Sequence, residues 1–162
     1  MLMETFVSLF LPARCLGCRV VVEGQLFCDA CARFIEPVGL SCCTVCGLPR
    51  PEGAKGLCLG CIRSRPLFTT LRAAYLYGGP IRDALLAFKH SNRVELGERL
   101  ANMLVEQLAP TFPPQPAIVV PVPLHRTRQG HRGYNQAAIL ARFVARRIGA
   151  PYLPKLLRRV KD

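Results

Sequence analysis

Nine cysteines lie within the first 61 residues, and eight of them form four C-x2-C pairs. The pairs are Cys15/Cys18, Cys28/Cys31, Cys43/Cys46 and Cys58/Cys61, and Cys42 is left over. Two-residue spacing lets both thiolates of a tight turn face one metal ion, and two such pairs complete the tetrahedral sulfur set that zinc prefers. The sequence therefore predicts two structural Zn²⁺ sites, each closed by four cysteines and without room for a catalytic water.

Other uses of cysteine fit this pattern less well. A disulfide framework needs an oxidising compartment, and an odd number of cysteines leaves one thiol over. Ferredoxin-type clusters use a C-x2-C-x2-C run, which this chain lacks, and a redox dithiol needs only one C-x2-C pair. The pairing order stays open at this point. Consecutive pairs would give two zinc ribbons, interleaved pairs are the alternative, and Cys42 competes with Cys43 as a ligand.

A second motif with chemical potential runs from Ile118 to Gln136 and reads I-V-V-P-V-P-L-H-R-T-R-Q-G-H-R-G-Y-N-Q. Its β-branched run must end at Pro121 and Pro123, because proline cannot donate to a sheet ladder. Loops at the carboxyl ends of strands bind ligands in open α/β sheets, and three arginines there suit a phosphate or another polyanion. Residues 117–162 also carry ten basic residues and one acidic residue, most of the net charge of +12. A solvated basic face without a ligand is the alternative reading.

The residues after the cysteines alternate between strand-like and helix-like patterns. Strands are predicted over Thr69–Tyr77 and Ala117–Val120. Asn92, with Glu95 three residues later, and Asn135 are predicted to cap the second and third of three helices. The apolar faces of the three helices are formed by Ile81, Ala84, Leu85 and Phe88, by Leu96, Leu100, Met103, Leu104 and Leu108, and by Ala137, Leu140, Ala141, Val144 and Ile148. This alternation predicts an α/β fold.

Apolar residues make up 51% of the chain, which is enough for a packed core and argues against wholesale disorder. No apolar run reaches the roughly 20 residues that a membrane span needs. The apolar stretch Met1–Leu11 contains Glu4 and no preceding basic residue, so it is predicted to form a short helix against the zinc unit rather than a signal peptide. We therefore expect a cytoplasmic protein without a membrane span.

On these motifs the chain resembles the ComF family, competence protein F and its relatives. The resemblance rests on the four cysteine pairs, on Y-G-G-P-I-R-D-A-L-L-A-F-K-H around Lys89, and on V-V-P-V-P-L-H-R-T-R-Q-G-H-R-G-Y-N-Q-A. It implies a double zinc ribbon with a short N-terminal helix over residues 1–64. It further implies the N-terminal part of a type I phosphoribosyltransferase-like α/β domain over residues 65–162. The family's acidic pair followed by a T-T-G turn, which cradles a 5′-phosphate, occurs nowhere in the 162 residues. We therefore expect a fragment or a truncated product that lacks transferase activity by itself.

The resemblance also implies ligands and partners. A pyrophosphate or phosphate site would be formed by Val122, Pro123, Leu124, His125, Arg126 and Arg132. Contacts to nucleic acid would come from Lys89, Arg126, Arg128, Arg132 and Tyr134. The implied ligands are two structural zinc ions, single-stranded DNA and, for the full-length protein, phosphoribosyl pyrophosphate. Other competence proteins, such as the helicase of the ComF operon, are implied partners.

The function that follows is an accessory role in DNA uptake during natural transformation. The alternatives are a phosphoribosyltransferase of nucleotide salvage and a zinc-ribbon adaptor without catalysis. No catalytic residue is assigned. For three of these residues a role without ligand contact is the alternative. His125 would then be a solvated loop residue, Lys89 would lie on a helix exterior, and Tyr134 would be a hydrophobic staple before the Asn135 cap.

Overall fold

The computed structural model describes residues 12–90, 93–112, 118–125, 127, 129–130 and 133–161. The predicted helix over Met1–Leu11 and the predicted cap Asn92 lie outside these ranges. The main helices within them are α1 (Asp29–Ala32), α2 (Leu59–Arg63), α3 (Gly79–His90), α4 (Leu96–Leu108) and α5 (Gln136–Ile148), with a 3-10 turn at Ala109–Thr111. None of the helices in the described ranges is both long and apolar enough to cross a bilayer.

The predicted buried face of α3 and the predicted ends of α5 are confirmed, whereas the fully buried residues of α5 are Gln136 and Ala145 rather than the five predicted for its inner face. In α3 the residues Ile81, Ala84 and Phe88 are buried, as their spacing predicts. At the start of α5 the side-chain oxygen of Asn135 accepts a hydrogen bond from the backbone N–H of Ala137 at 3.0 Å. Gly149, with φ of 69°, ends the helix in the left-handed conformation that glycine tolerates.

The start of α4 differs from the prediction. The helix begins at Leu96, after a turn in which the backbone N–H of Leu96 donates to the carbonyl of Arg93 at 3.1 Å. The carboxylate of Glu95 accepts from Nε of Arg93 at 2.9 Å. The predicted capping pattern is therefore wrong for Glu95, because its carboxylate is engaged with a side chain of the preceding turn.

The α/β class is only partly supported, because the described residues contain helices and isolated bridges but no multi-residue strand. The predicted strand over residues 69–77 is reduced to an antiparallel bridge between Pro37 and Tyr75. The predicted strand over residues 117–120 is reduced to a parallel bridge between Val119 and Tyr152.

Proline explains why the second bridge does not grow. The N–H of Val119 donates to the carbonyl of Pro151 at 2.8 Å, and the N–H of Leu153 donates back to Val119 at 3.0 Å. The next bonds of a parallel ladder would need the N–H groups of residues 121 and 151, and both are prolines, which have none. The phosphoribosyltransferase-like sheet therefore stays a prediction.

Two units with the same backbone pattern carry the cysteines. We call them ribbon one (residues 13–33) and ribbon two (residues 41–64). Ribbon one belongs to the main hydrophobic core, in which Leu16 and Phe27 lie with Ala84, Phe88 and Leu96 of the helices. Ribbon two has a small core of its own, made of Cys43, Val45 and Cys61. The domain boundary predicted at residue 64 stays a prediction, and the main core includes residues from both sides of it.

Helices α4 and α5 pack closely against each other at Gly97. A Cβ atom added at Gly97 would clash with Cγ2 of Ile139 and would lie 3.3 Å from the ring of Phe88. Glycine is therefore required at this helix crossing. An exposed ion pair between Arg146 and Glu98, at 2.6 Å, joins the same two helices and contributes little energy of its own.

Candidate metal centres and anion cleft

The eight paired cysteines form two clusters of four sulfur atoms. The clusters are Cys15, Cys18, Cys28 and Cys31 in ribbon one, and Cys43, Cys46, Cys58 and Cys61 in ribbon two. Within each cluster all sulfur atoms lie within 4.8 Å of one another. The geometry therefore favours consecutive over interleaved pairing. Cys42 is buried outside both clusters, where its backbone pairs with Pro49.

The same hydrogen bonds shape the first cysteine turn of each ribbon. In ribbon one the N–H of Cys15 donates to Val20 at 2.8 Å, and the carbonyl of Cys15 accepts from Arg19 at 3.0 Å. In ribbon two Cys43 makes the equivalent bonds with Leu48 at 2.9 Å and with Gly47 at 3.0 Å. These bonds close the turn so that both of its sulfur atoms face the same side.

The second cysteine pair of each ribbon completes the cluster at the start of a short helix. The N–H of Cys28 donates to the sulfur of Cys15 at 3.4 Å, and the N–H of Cys58 donates to the sulfur of Cys43 at 3.3 Å. The sulfur atoms of Cys18 and Cys28 are 3.6 Å apart, as are those of Cys46 and Cys58 in ribbon two. Tetrahedral zinc with Zn–S bonds of about 2.3 Å separates its sulfur ligands by roughly 3.8 Å. Both clusters are therefore consistent with one zinc ion each.

The first cysteine of each cluster has a lowered pKa. The backbone N–H groups of Cys46 and Cys58 lower the pKa of the Cys43 thiol to about 6. For Cys15 burial acts in the opposite direction, but hydrogen bonds from backbone N–H groups outweigh it and lower the pKa to about 6.

The fourth cysteine of each cluster behaves in the opposite way. Burial, together with the neighbouring sulfur atoms, raises the pKa of Cys31 and that of Cys61 to about 12. In each cluster the first cysteine is thus favoured as a thiolate, whereas a negative charge on the fourth is disfavoured. A divalent cation removes this conflict, because its charge allows all four sulfur atoms to be thiolates.

Three residues of the predicted anion loop line a cleft of about 640 Å³. Pro123, Leu124 and His125 form its wall on the loop side, and Lys155, Arg158 and Arg159 line it from the segment after Tyr152. The bridge between Val119 and Tyr152 brings these two segments side by side. Three basic side chains therefore share a cleft with the predicted loop.

Helix α5 supports both sides of this cleft. The side-chain N–H₂ of Asn135 donates to the carbonyl of Val122 at 3.1 Å, at the start of the loop. The hydroxyl of Tyr152 donates to the carbonyl of Ala138 at 2.9 Å, before the basic segment begins. The spacing between the two walls is thus set by one helix.

The predicted site residues divide into three groups. Val122 is exposed beside the cleft-lining residues Pro123, Leu124 and His125. Arg126, Arg128 and Arg132 lie outside the described residues. Lys89 and Tyr134 lie at the junction between α3 and α5, where the carbonyl of Lys89 accepts from Gln136 at 3.5 Å. The predictions for nucleic-acid contact at these positions stay predictions.

Tyr134 is tied to the main core. Its hydroxyl donates to the carbonyl of Phe88, and the two ring centroids are 5.9 Å apart at an interplanar angle of 47°. The half-buried ring packs against the main core, directly before the Asn135 cap. This is the position expected of a hydrophobic staple before the helix cap.

Sequence reasoning missed the basic side chains of Lys155, Arg158 and Arg159 as cleft residues. The available signal was the run L-L-R-R-V-K that follows Lys155. Without knowledge of the Val119–Tyr152 bridge, nothing connected this run with the loop more than thirty residues earlier. These three residues join His125 as candidates for anion contact.

The cysteine turns and the paired clusters define a double zinc ribbon, and residues 6–62 match the family model of the double zinc ribbon domain. The chain is similar to competence protein F of Haemophilus influenzae, with 28% identity over 94% of this chain and 68% of the relative. It is also similar to competence protein ComFC of Bacillus subtilis (27%, over 70% of this chain and 49% of the relative). A third relative is the DNA utilization protein YhgH of Salmonella typhi (29%, over 94% and 69%).

The resemblance to the ComF family is confirmed by these relatives, which are named as competence and DNA utilization proteins. The chain spans about half of the ComFC relative and about two thirds of the other two. No solved structure gave a significant match.

Proposed function

We propose that this protein is a ComF-like accessory of DNA uptake, whose basic cleft binds the phosphate groups of single-stranded DNA. The similarity to proteins named for competence and DNA utilization supports a role in DNA uptake. The observation that supports the molecular role is the cleft, which Lys155, Arg158 and Arg159 line together with His125. The lining also contains apolar residues such as Leu124, Leu157 and Val160, so the three cations are the groups that suit this concave surface to a polyanion.

The zinc ions have a structural role in this proposal. Cys15, Cys18, Cys28 and Cys31 bind one ion, and Cys43, Cys46, Cys58 and Cys61 bind the other. Four thiolates per ion leave no coordination position for substrate or water. Segments as small as the ribbons bury too little apolar surface to fold alone, and zinc binding supplies on the order of 10 kcal/mol per site.

The cleft is suited to phosphate by the types of its side chains. Arginine presents a planar fork of N–H groups that bonds two phosphate oxygens at once, and lysine adds a point charge. Such contacts hold the backbone of a nucleic acid without reading its sequence. The pyrophosphate group of phosphoribosyl pyrophosphate offers the same chemistry, and we include it as a ligand of this cleft in the full-length protein.

Salt-dependent binding of an oligothymidine tests the proposal. The triple variant Lys155→Glu, Arg158→Glu, Arg159→Glu reverses the charge of the cleft wall. A matched control reverses three exposed arginines of the ribbon region, Arg33, Arg63 and Arg65. Each phosphate contact to single-stranded nucleic acid contributes about 0.7 to the slope of log affinity against log salt.

We expect the cleft variant to lose about 2 in that slope, corresponding to three lost contacts, and the control to lose much less. Equal losses in the two variants would attribute binding to net charge alone and would refute the assignment to the cleft. Circular dichroism and zinc content of both variants serve as controls for folding.

A further inference from the structure

We propose that the metal site of ribbon one controls the shape of the anion cleft, whereas the metal site of ribbon two does not. The coupling runs from the cysteine cluster through α3 and the start of α5 to the loop at residues 122–125. It rests on the proposed function only where ligand affinity is used as the readout, because the coupling itself is a property of the fold.

The first step joins the ribbon-one cluster to α3. Cys15 is fully buried in the main core together with Leu16, and Ile81, Ala84 and Phe88 of α3 belong to the same core. Cys28 and Cys31 pack against this core as well. Loss of the metal would release thiolates whose side chains form part of the packing of α3.

A second contact ties ribbon one to α4. The guanidinium of Arg99 donates to the carbonyl of Gly24 at 2.6 Å, at the turn between the two cysteine pairs. Gly17, in the first cysteine turn, lies so close to Cys31 that an added Cβ would be 2.8 Å from its sulfur and 3.6 Å from Cβ of Pro80. The first cysteine turn of ribbon one therefore lies next to both Cys31 and the first turn of α3.

The second step joins the end of α3 to the start of α5. The hydroxyl of Tyr134 donates to the carbonyl of Phe88, and the two rings are in contact. The buried side chain of Gln136 donates to the next carbonyl, that of Lys89, at 3.5 Å. Two consecutive carbonyl groups of α3 thus hold the residues on either side of Asn135.

The third step joins Asn135 to the loop. Its side-chain oxygen caps α5 by accepting from Ala137, and its N–H₂ group donates to the carbonyl of Val122 at 3.1 Å. The position of Val122, and with it the wall formed by Pro123, Leu124 and His125, follows the position of this one side chain. Any displacement of Phe88 therefore reaches the cleft through two hydrogen bonds.

Ribbon two is connected differently. Its small core is separate from the main core. The N–H of Leu71 donates to Val45 at 2.7 Å, and the guanidinium of Arg72 donates to the carbonyls of Cys43 and Thr44 at 3.2 and 3.0 Å. These bonds fasten ribbon two to the segment before α3, away from the junction with α5. Metal binding in ribbon two therefore stabilises a local unit.

The test compares Cys18→Ser with Cys46→Ser in the full chain, because the two residues hold the same position in the two ribbons. Native mass spectrometry establishes that each variant retains one zinc ion. Calorimetry then measures affinity for inorganic pyrophosphate, and amide hydrogen exchange follows the peptide that contains Val122, Leu124 and His125. We expect Cys18→Ser to weaken binding at least tenfold and to speed exchange, and Cys46→Ser to change both less than twofold.

Equal effects of the two substitutions, or unchanged exchange in Cys18→Ser, would overturn the proposal. If Cys18→Ser does not fold, Asn135→Asp tests the last step, on which the whole coupling depends, because aspartate keeps the capping oxygen and loses the N–H₂ donor to Val122. It must speed loop exchange while both zinc ions stay bound, and unchanged exchange would again overturn the coupling. If the wild-type protein with two zinc ions binds neither pyrophosphate nor oligothymidine, the proposed function fails. The exchange data would then still test the coupling, because loop exchange is measured without a ligand.

Discussion

Arg19 and Gly47 occupy the same position in the two ribbons, directly after the second cysteine of the first pair, and both have a backbone φ of 68°. The turn that closes each cysteine pair requires this left-handed conformation, because the N–H at this position bonds back to the first cysteine. Ribbon two meets the requirement with glycine. Ribbon one meets it with arginine, at a cost of about 1 kcal/mol in backbone strain.

Arg19→Gly should therefore stabilise the zinc-loaded protein. We expect the free energy of unfolding to rise by up to about 1 kcal/mol, since relief of the left-handed strain exceeds the entropy that glycine adds to the unfolded chain. Urea unfolding at fixed zinc concentration measures the change. The matched control is Arg33→Gly, at an exposed position with φ of −64°, which should destabilise or have no effect. A loss of stability in Arg19→Gly would show that the side chain matters more than the backbone.

Gly47→Ala should destabilise ribbon two for two reasons. The left-handed conformation is unfavourable for alanine, and the added Cβ would lie 2.6 Å from the carbonyl oxygen of Leu71. We expect a loss of about 2 kcal/mol, with zinc still bound at two ions per chain. Gly53→Ala, also at positive φ but with no atom within 4 Å, isolates the backbone contribution. A smaller loss for Gly47 than for Gly53 would contradict the contact with Leu71.

Gly97→Ala should destabilise the main core, because the new methyl group meets Ile139 and the ring of Phe88. Overpacking of this kind costs about 1 to 3 kcal/mol. The double variant Gly97→Ala, Ile139→Ala should lose less than the sum of the two single variants, because the smaller side chain makes room for the methyl group. Thermal unfolding checks this, with Gly78→Ala as a control in open space. Strict additivity would argue against the helix contact.

The zinc content of cysteine variants should distinguish Cys42 from the eight predicted ligands. Cys42→Ser should keep two zinc ions per chain, since its sulfur belongs to neither cluster. Cys28→Ser should keep one ion and lower the thermal stability of the main core, in which ribbon one takes part. Native mass spectrometry counts the ions. Loss of an ion from Cys42→Ser would mean that Cys42 replaces Cys43 as a ligand.

The sequence predicted the parts of the structure that depend on short-range pattern. C-x2-C spacing indicated the ligands, and the spacing of Ile81, Ala84 and Phe88 indicated the buried face of α3. Asn135 and Gly149 marked the two ends of α5 because capping needs only local geometry.

What the sequence did not predict depends on contacts between distant residues. β-Branched residues around Val119 favoured a strand, but ladder growth requires a partner with N–H groups, and the partner segment carries Pro151. Likewise, Arg158 and Arg159 share a cleft with the loop because the distant residues Val119 and Tyr152 lie side by side. Periodicity also gave no sign that ribbon one shares its core with α3 and α4.

The most direct test of the proposed DNA-binding cleft is a hydrogen-exchange footprint of oligothymidine on the protein with two zinc ions bound. We expect protection in two peptides, residues 118–125 and residues 153–161, with ribbon two unchanged. The protection should weaken as salt is raised, because phosphate contacts release counterions. Protection confined to the ribbons, with both cleft peptides exchanging as in the free protein, would contradict it.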